Sequence, residues 1–449
     1  MLTILRQCLT RLLGFFALPG GIGVMLLAAS GAAHAVPSFS RQTGSECAAC
    51  HMGSYGLNLT PYGIRFKAGG YVDSDGKGLK IPLAVQLIGE NVNPKTGSTR
   101  TRLSEADLYV AGKFADQVGG MARVSRRDDG STVNTTFENL DLRFVQDLKV
   151  TDKDTLVGLS FNNSPGVQDP IAILPARGFT VPSTDGTLLN PASTRRLANR
   201  VLGTSVYGLH DGSWYGELGT YRSMSVSAQD RLGFDPADDP GKLSGTSYWR
   251  LAYMKDLKTQ FFSVGLVGLN TKRQLNRSGP ADDIKDLGVD LSYQYLGSRE
   301  HMLQLRYVNI LERRKYGSTP ASPFVPGLVA NATGRSRDQS LAMTYVYQQS
   351  YDITVARMIG TAADDAVRFL PYGRPDTTST LVLVSWVPFG KEDSWAAPWA
   401  NVRLSAGWFK FSKFNGSATD IFGTNAGSGA PLTNAKDLDQ FSLSLRTAF

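Results

Sequence analysis

The most regular pattern in the chain is an alternation of apolar and polar residues in short segments after residue 80. In 287–295, Leu, Val, Leu, Tyr and Tyr occupy the odd positions, and Gly, Asp, Ser and Gln occupy the even ones. The segments 140–144, 303–307 and 341–347 alternate in the same way. A period of two predicts β-strands with one apolar and one polar face. A soluble β-sandwich would give the same local pattern.

The lengths of the connections favour a membrane barrel over a sandwich. About 16 segments alternate in this way, which is an even number. Short turns are predicted to join strands 2–3, 4–5, 6–7, 8–9, 10–11, 12–13 and 14–15. Most of the other connections are long, with 128–132 as a short exception; the long ones are 163–198, 223–245, 271–283, 313–337, 363–377 and 414–436. Short turns at one end and long loops at the other are typical of an all-β, antiparallel transmembrane barrel of the outer membrane.

The two faces of such strands have different predicted environments. The polar face is expected to line the lumen, with Arg123, Arg143, Arg250, Lys285, Asp290, Gln294, Gln304 and Arg306. Aromatic residues near strand ends are expected at the two lipid–water interfaces, namely Tyr248, Trp249, Trp395, Trp399 and Trp408. The chain also ends as a closing strand does, with alternating apolar residues leading to a terminal Phe449.

Composition excludes several other classes of protein. With 10% aromatic and 19% charged residues, the chain is not typical of disordered proteins. After residue 35 no run of 18 charge-free apolar residues occurs, which excludes a bundle of membrane-spanning helices. The formal net charge of +8 falls to about +6 once Arg6 and Arg11 leave with the predicted leader. This modest charge does not indicate a nucleic-acid partner.

Residues 1–35 are predicted to be a secretory signal peptide. Two arginines precede an apolar stretch from Leu12 to about Ala29, and Ala33-His34-Ala35 forms a small-x-small cleavage site. The mature chain would divide into a segment at 36–79 and a porin-like barrel at 80–449. Export fits a final location in the outer membrane, with lipid around the barrel.

The only cysteines of the predicted mature chain lie in Cys47-Ala48-Ala49-Cys50-His51. This C-x-x-C-H spacing is the attachment motif of c-type haem. Two thiols can bond the haem vinyl groups, and the adjacent His51 then becomes the proximal iron ligand. A disulfide or a dithiol redox pair would not need the histidine, and zinc would need a further pair of ligands. The motif therefore predicts one covalently attached haem c, held by Cys47 and Cys50.

The distal iron ligand is not determined by the sequence. Met52 is too close to His51 along the chain to reach the opposite haem face easily. The ligand is therefore absent, a weaker group near the motif, or a residue from farther along the chain. The candidates are Asn58, Lys67, Met121, His210, Met254, His301 and Met302.

The stretch 47–71 resembles the N-terminal haem segment of the fused monohaem cytochrome–porins, the outer-membrane iron oxidases of iron-oxidising bacteria. In that family C-x-x-C-H is followed by Leu-Asn, an aromatic–Gly pair, a Phe and a Gly-Tyr. These fall here on Leu57-Asn58, Tyr62-Gly63, Phe66 and Gly70-Tyr71. In the family a barrel of about 16 strands follows the short cytochrome segment, as the predicted layout here does.

The resemblance implies an electron-transfer protein that takes electrons from an extracellular donor, Fe(II) in the family, and passes them to a periplasmic cytochrome or similar carrier. It implies a possible Fe(II) oxidase, and the segment 36–79 is expected to plug the lumen. Two alternatives stay open, a general porin for small solutes with an accessory haem and a soluble periplasmic cytochrome. Four carboxylates in one predicted loop could bind Fe(II), or they could simply be solvated side chains of an outer loop. They are Asp230, Asp235, Asp238 and Asp239.

Overall fold

The computed structural model describes residues 36–56, 58–78, 80–183, 185–191, 196–391, 394–423 and 433–449. The predicted signal peptide, 1–35, lies outside the described residues. In the described part of the chain, three helices precede the first strand: α1 (Pro37–Thr43), α2 (Cys47–Cys50) and α3 (Pro61–Ala68). A fourth, α4 (Val226–Arg231), lies between two later strands. Among the described residues, no helix combines the length and the apolar character needed to cross a bilayer.

Sixteen antiparallel strands of the described chain form one closed barrel, which confirms the predicted fold class. Each strand pairs with its neighbours in sequence, and β1 pairs with β16, from Gln86 opposite Ala448 to Pro94 opposite Gln440. Closure leaves no unpaired sheet edge. The strands are β1 Leu83–Pro94, β2 Arg100–Ala115, β3 Val118–Asp128, β4 Val133–Val150, β5 Lys153–Asn162, β6 Val201–His210, β7 Trp214–Ser223, β8 Lys242–Asp256, β9 Gln260–Gln274, β10 Asp282–Tyr295, β11 His301–Lys315, β12 Thr333–Tyr347, β13 Tyr351–Ala362, β14 Thr377–Trp386, β15 Asn401–Lys413 and β16 Gln440–Ala448.

Short turns and long loops alternate around the barrel, as predicted. At one end of the barrel, the connections from 116–117, between β2 and β3, to 348–350, between β12 and β13, are short turns. The opposite end carries the long loops. The predicted short turn between β14 and β15 is wrong, because the connection runs over 387–400 and includes the sequence Trp395-Ala-Ala-Pro-Trp399. Since β1 begins and β16 ends at the short-turn end, that end corresponds to the periplasmic side of an outer-membrane barrel.

Side-chain burial alternates along the strands and separates two faces. On β10, Leu291 is 46% exposed on the outer surface, whereas the adjacent Asp290 is fully buried inside. The outer surface carries rows of exposed Leu, Val and Phe, as a lipid-facing surface requires. Seven of the eight residues predicted to face the lumen are buried there. Lys285 is the exception; it is exposed because it has the same parity as the outward Leu287.

The aromatic residues near the strand ends fall into two groups. Trp395, Trp399 and Trp408 are exposed, as an interfacial position requires, and Trp249 is half-buried. Tyr248 was predicted at an interface, but it is buried in the lumen, with its ring 5.7 Å from that of Tyr221. Its place follows from strand parity, because it lies two residues before the inward Arg250 on β8.

Two segments fill much of the lumen. The described part of 36–78 enters from the short-turn end, where Gly53 N donates to Gln349 Oε1 at 3.2 Å in the β12–β13 turn. The loop 163–200, between β5 and β6, folds inward from the opposite end. The two segments meet where Lys67 Nζ donates to the carbonyls of Val167 and Asp169, both at 2.7 Å.

Candidate functional site

The C-x-x-C-H segment is a single helical turn held by the next helix. In α2 the N–H of His51 donates to the Cys47 carbonyl at 2.9 Å, which ends the turn. Pro61 begins α3, and the Thr60 side chain caps it by accepting from Gly63 N at 3.2 Å. A Cβ on Gly63 would lie only 2.3 Å from the Cys50 carbonyl oxygen. The glycine therefore allows α2 and α3 to pack in direct contact.

The barrel wall holds this segment from several directions. The carbonyl of Ser54 accepts from Asn401 Nδ2 at 2.8 Å, and that of Tyr55 accepts from Arg403 Nη1 at 3.0 Å. Across the lumen, Tyr207 OH donates to the Ala68 carbonyl at 2.8 Å, and Tyr71 OH donates to Asp141 at 2.7 Å. Because these partners lie on opposite sides of the barrel, the position of the motif is fixed relative to the wall.

A cavity of about 840 Å³, counting the space at its mouth, adjoins the motif. Cys47, Cys50 and His51 all line this cavity, which we call the motif cavity. Most of the remaining lining is apolar or aromatic and includes Phe39, Leu59, Phe66, Tyr71 and Met121. The structure therefore brings the three predicted site residues to one apolar space.

The two cysteines are free thiols, and their surroundings disfavour the thiolate form. Neither is in a disulfide. Burial raises the pKa of Cys50 to about 12, with smaller contributions from the charges of Cys47 and Asp73. Burial likewise raises the pKa of Cys47. Since thiolate is the reactive form in disulfide exchange and the form that binds zinc, these environments disfavour a dithiol redox pair and a zinc site.

His51 has a ring nitrogen without a partner. Its Nδ1 is buried and forms no hydrogen bond among the described residues. Burial lowers the pKa of His51 to about 4, although a hydrogen bond with the Gly56 backbone acts in the opposite direction. The imidazole is therefore neutral at neutral pH and can donate a lone pair to a metal. A buried polar atom of this kind calls for an explanation, and an ion or cofactor is one.

Two of the predicted distal-ligand candidates, Met121 and Lys67, line the motif cavity. Met52 and Met302 instead pack together in a separate apolar cluster. The other candidates are engaged elsewhere: Asn58 accepts from Arg306 at 2.8 Å, His210 contacts Thr155, His301 contacts Tyr345, and Met254 lies in the main apolar cluster of the lumen.

The acidic loop carries no metal-like cluster of carboxylates in its described residues. Asp239 accepts from Arg277, and Asp235 accepts from the N–H of Ala237. Asp238 lies 3.4 Å from Arg200. Within the described ranges, no three His, Cys, Asp or Glu side chains come together as a metal site. These contacts agree with a solvated loop held by its own hydrogen bonds.

A second cavity lies beside the segment, and both polar and apolar side chains line it. It measures about 1030 Å³ with its open space and runs between residues 52–58 and the wall formed by β12–β16 and β1. Small polar side chains from the wall line it, including Ser405, Ser442 and Ser444. Gly56 lines both cavities. The plug therefore leaves a second space along one side of the barrel, next to the motif cavity.

No sequence pattern indicates Arg177, which also lines the motif cavity. It lies in the long loop 163–200 and is separated from His51 by 126 positions. Only the inward folding of that loop brings it to the motif, and no local pattern predicts this.

These features define a class: a 16-stranded outer-membrane barrel of porin-like architecture, with an apolar outer surface and a segment folded into its lumen. The chain is accordingly located in the outer membrane, with its apolar outer surface against lipid.

No family model and no curated protein matches the chain. Several solved outer-membrane proteins are similar to it. OmpT of Vibrio cholerae is 14% identical, with a TM-score of 0.41, over 82% of this chain and 96% of that one. An anion-selective porin from Comamonas acidovorans is 13% identical, with a TM-score of 0.43, over 82% and 98%. The channel DcaP of Acinetobacter baumannii is 10% identical, with a TM-score of 0.44, over 82% and 96%.

Proposed function

We propose that this chain is a monohaem cytochrome–porin that moves electrons across the outer membrane, from an extracellular donor such as Fe(II) to a periplasmic carrier. The observation that carries the proposal is the motif cavity, where two free thiols and a neutral imidazole share one apolar space. Haem, when bound, would supply a one-electron redox centre. The protein residues that hold it would be Cys47, Cys50 and His51.

The chemistry of the three residues supports haem c over other groups. Thioether bonds consume neutral thiols, and burial keeps both cysteines protonated. Nδ1 of His51 is buried and has no hydrogen-bond partner among the described residues, and the low pKa of His51 keeps its ring neutral. A pocket lined by Phe39, Phe66 and Leu59 suits a large apolar macrocycle.

We further propose Met121 as the distal iron ligand. Among the cavity-lining candidates, Lys67 would have to give up two charge-assisted hydrogen bonds of 2.7 Å to backbone carbonyls. Among the described residues, the Met121 sulfur has one hydrogen bond to give up, from Arg177 Nη2 at 3.5 Å, and sulfur is a weak acceptor. Thioether ligation would also raise the reduction potential.

The position of the motif supports the direction of transfer. Residues 53–55 contact the short-turn end of the barrel, which is the periplasmic end. A periplasmic carrier could therefore approach the motif directly. The second cavity, which shares Gly56 with the motif cavity, would be the route of a small cation that approaches the motif along the lumen wall.

A general porin for small solutes is the second candidate function. Its support is the second cavity, where polar side chains such as Ser405 and Ser442 lie between the plug and the wall, since a water-filled lumen in a barrel of this width can conduct ions with or without a haem. Electron transfer and conductance are not exclusive, and the experiment below separates them.

Stopped-flow mixing of the purified oxidised protein with Fe(II), followed by absorbance, tests the proposed function. We expect reduction of a c-type spectrum in the wild type and no such spectrum in Cys50→Ala. Bilayer conductance is measured on both proteins. A covalent haem that Fe(II) never reduces would exclude Fe(II) as the donor, and conductance without any haem spectrum would favour the general porin.

A further inference from the structure

Arg177 is a buried cation without an acidic partner. Its side chain is 8% exposed, and its Nε is buried without a hydrogen bond. Among the described residues, no carboxylate lies within ion-pair distance of it, and its Nη2 donates only to the Met121 sulfur. An unpaired buried charge is costly, whereas buried charges in folded proteins are normally paired.

The neighbouring carboxylates are already engaged. Asp141 lies 2.9 Å from Arg143 Nη2 and accepts from Tyr71. Glu138 forms ion pairs with Arg123 and Arg127. In agreement with this, burial lowers the pKa of Arg177, and the charge of Asp141 offsets only part of that effect.

The loop holds Arg177 rigidly at the motif cavity. Its N–H donates to the Leu174 carbonyl at 2.8 Å and closes a turn. Before that turn, Arg306 Nη2 donates to the Ala172 carbonyl at 2.6 Å, and Lys67 donates to the carbonyl of Asp169. The guanidinium is therefore preorganised beside Cys47, Cys50 and His51, all of which line the same space.

We propose that Arg177 binds a carboxylate of the group held in the motif cavity, which on the proposed function is a haem propionate. A planar guanidinium with free donors matches a carboxylate well. The inward loop thereby contributes to the cofactor site, and the cofactor contributes to holding the loop inside the barrel. This inference rests on the proposed function.

The test compares Arg177→Gln and Arg177→Lys with Arg273→Gln, measuring resonance Raman spectra and reduction potentials of the haem-loaded proteins. Arg273 is a matched control because it is also buried with an unpartnered Nε, but it lies on β9 and does not line the motif cavity. We expect Arg177→Gln to shift the propionate bending band and lower the reduction potential, because a nearby positive charge favours the reduced form. Arg177→Lys keeps the charge but not the planar fork, so a smaller band shift is expected.

The inference would be overturned if Arg177→Gln kept the wild-type propionate band and reduction potential, or if Arg273→Gln shifted both by the same amounts. Either result would leave the proposed function intact. If Arg177→Gln does not fold, an unshifted propionate band in Arg177→Lys overturns the inference. A wild-type protein with no covalent haem would overturn both the inference and the proposed function.

Discussion

The N–H of Leu189 donates to Asp286 Oδ2 at 2.9 Å, joining the inward loop to the lumen face of β10. Two neighbouring loop amides do the same on the next strands. Leu188 N donates to Glu312 on β11 at 3.0 Å, and Thr187 N donates to Asp338 on β12 at 2.7 Å. Three consecutive amides thus bind carboxylates from three adjacent strands, which fixes the loop inside the barrel.

Removal of one of these carboxylates should loosen the loop. Asp286→Ala leaves the Leu189 amide buried without an acceptor, at a cost of about 1–3 kcal/mol. We expect a several-fold increase in single-channel conductance in planar bilayers, with more frequent open events. Glu300→Gln, in a short turn at the opposite end of the barrel, is the control and should conduct as the wild type does. Wild-type conductance in Asp286→Ala would show that the loop does not limit the pore.

A methyl group at position 63 should disrupt the motif. In Gly63→Ala the new Cβ would lie 2.3 Å from the Cys50 carbonyl oxygen, so α2 and α3 would have to separate. We expect a large loss of covalent haem per folded barrel, measured by haem staining after denaturing electrophoresis. Gly216→Ala on β7, where the nearest atom to an added Cβ lies at 3.7 Å, should retain full staining. Undiminished staining in Gly63→Ala would contradict the close packing.

Replacement of the proposed distal ligand should change the iron without emptying the site. Met121→Leu preserves the approximate volume but removes the sulfur, so the reduction potential should fall. The sulfur-to-iron charge-transfer absorption of the oxidised protein should also disappear. Met254→Leu changes a buried methionine outside the motif cavity and should leave both properties unchanged. If Lys67→Met, and not Met121→Leu, changes the spectrum, Lys67 is the ligand.

The outer surface should not tolerate charge near the middle of the membrane. Leu291→Arg places a guanidinium on the lipid face of β10, and a charge on that face costs up to about 2–4 kcal/mol, the cost at the bilayer midplane. We expect a lower free energy of unfolding in phospholipid vesicles. Lys285→Ala, on the same face near the loop end of the strand, should have little effect. Equal stability of Leu291→Arg and the wild type would argue against lipid contact at this position.

Local sequence patterns are sufficient to predict the barrel and the shared position of the three motif residues. The alternation in 287–295 predicted which residues of β10 face outward, because side chains on a strand alternate between its faces. The same alternation explains why the prediction for Lys285 is wrong. Lys285 lies two residues from Leu287 and therefore on the same outer face, where a charge is tolerated near the loop end. The spacing of Cys47, Cys50 and His51 predicted a shared site, because the three are contiguous.

The remainder of the site depends on contacts between distant parts of the chain. Met121 comes from β3 and Arg177 from the loop 163–200, and the inward fold of that loop brings Arg177 to the motif cavity. That fold depends on three carboxylates from separate strands binding consecutive amides. Neither the alternation nor the motif contains this information, so Met121 was one candidate among many and Arg177 was not among them.

The intact mass of the protein purified from outer membranes, measured after denaturation, decides whether the chain carries a covalent haem. We expect a mature chain heavier than its polypeptide by the mass of one haem, and a Cys47→Ala, Cys50→Ala double variant at the polypeptide mass alone. A wild-type mass equal to that of the bare polypeptide, in a protein that folds into the barrel, would exclude a covalently attached haem and with it the proposed cytochrome–porin.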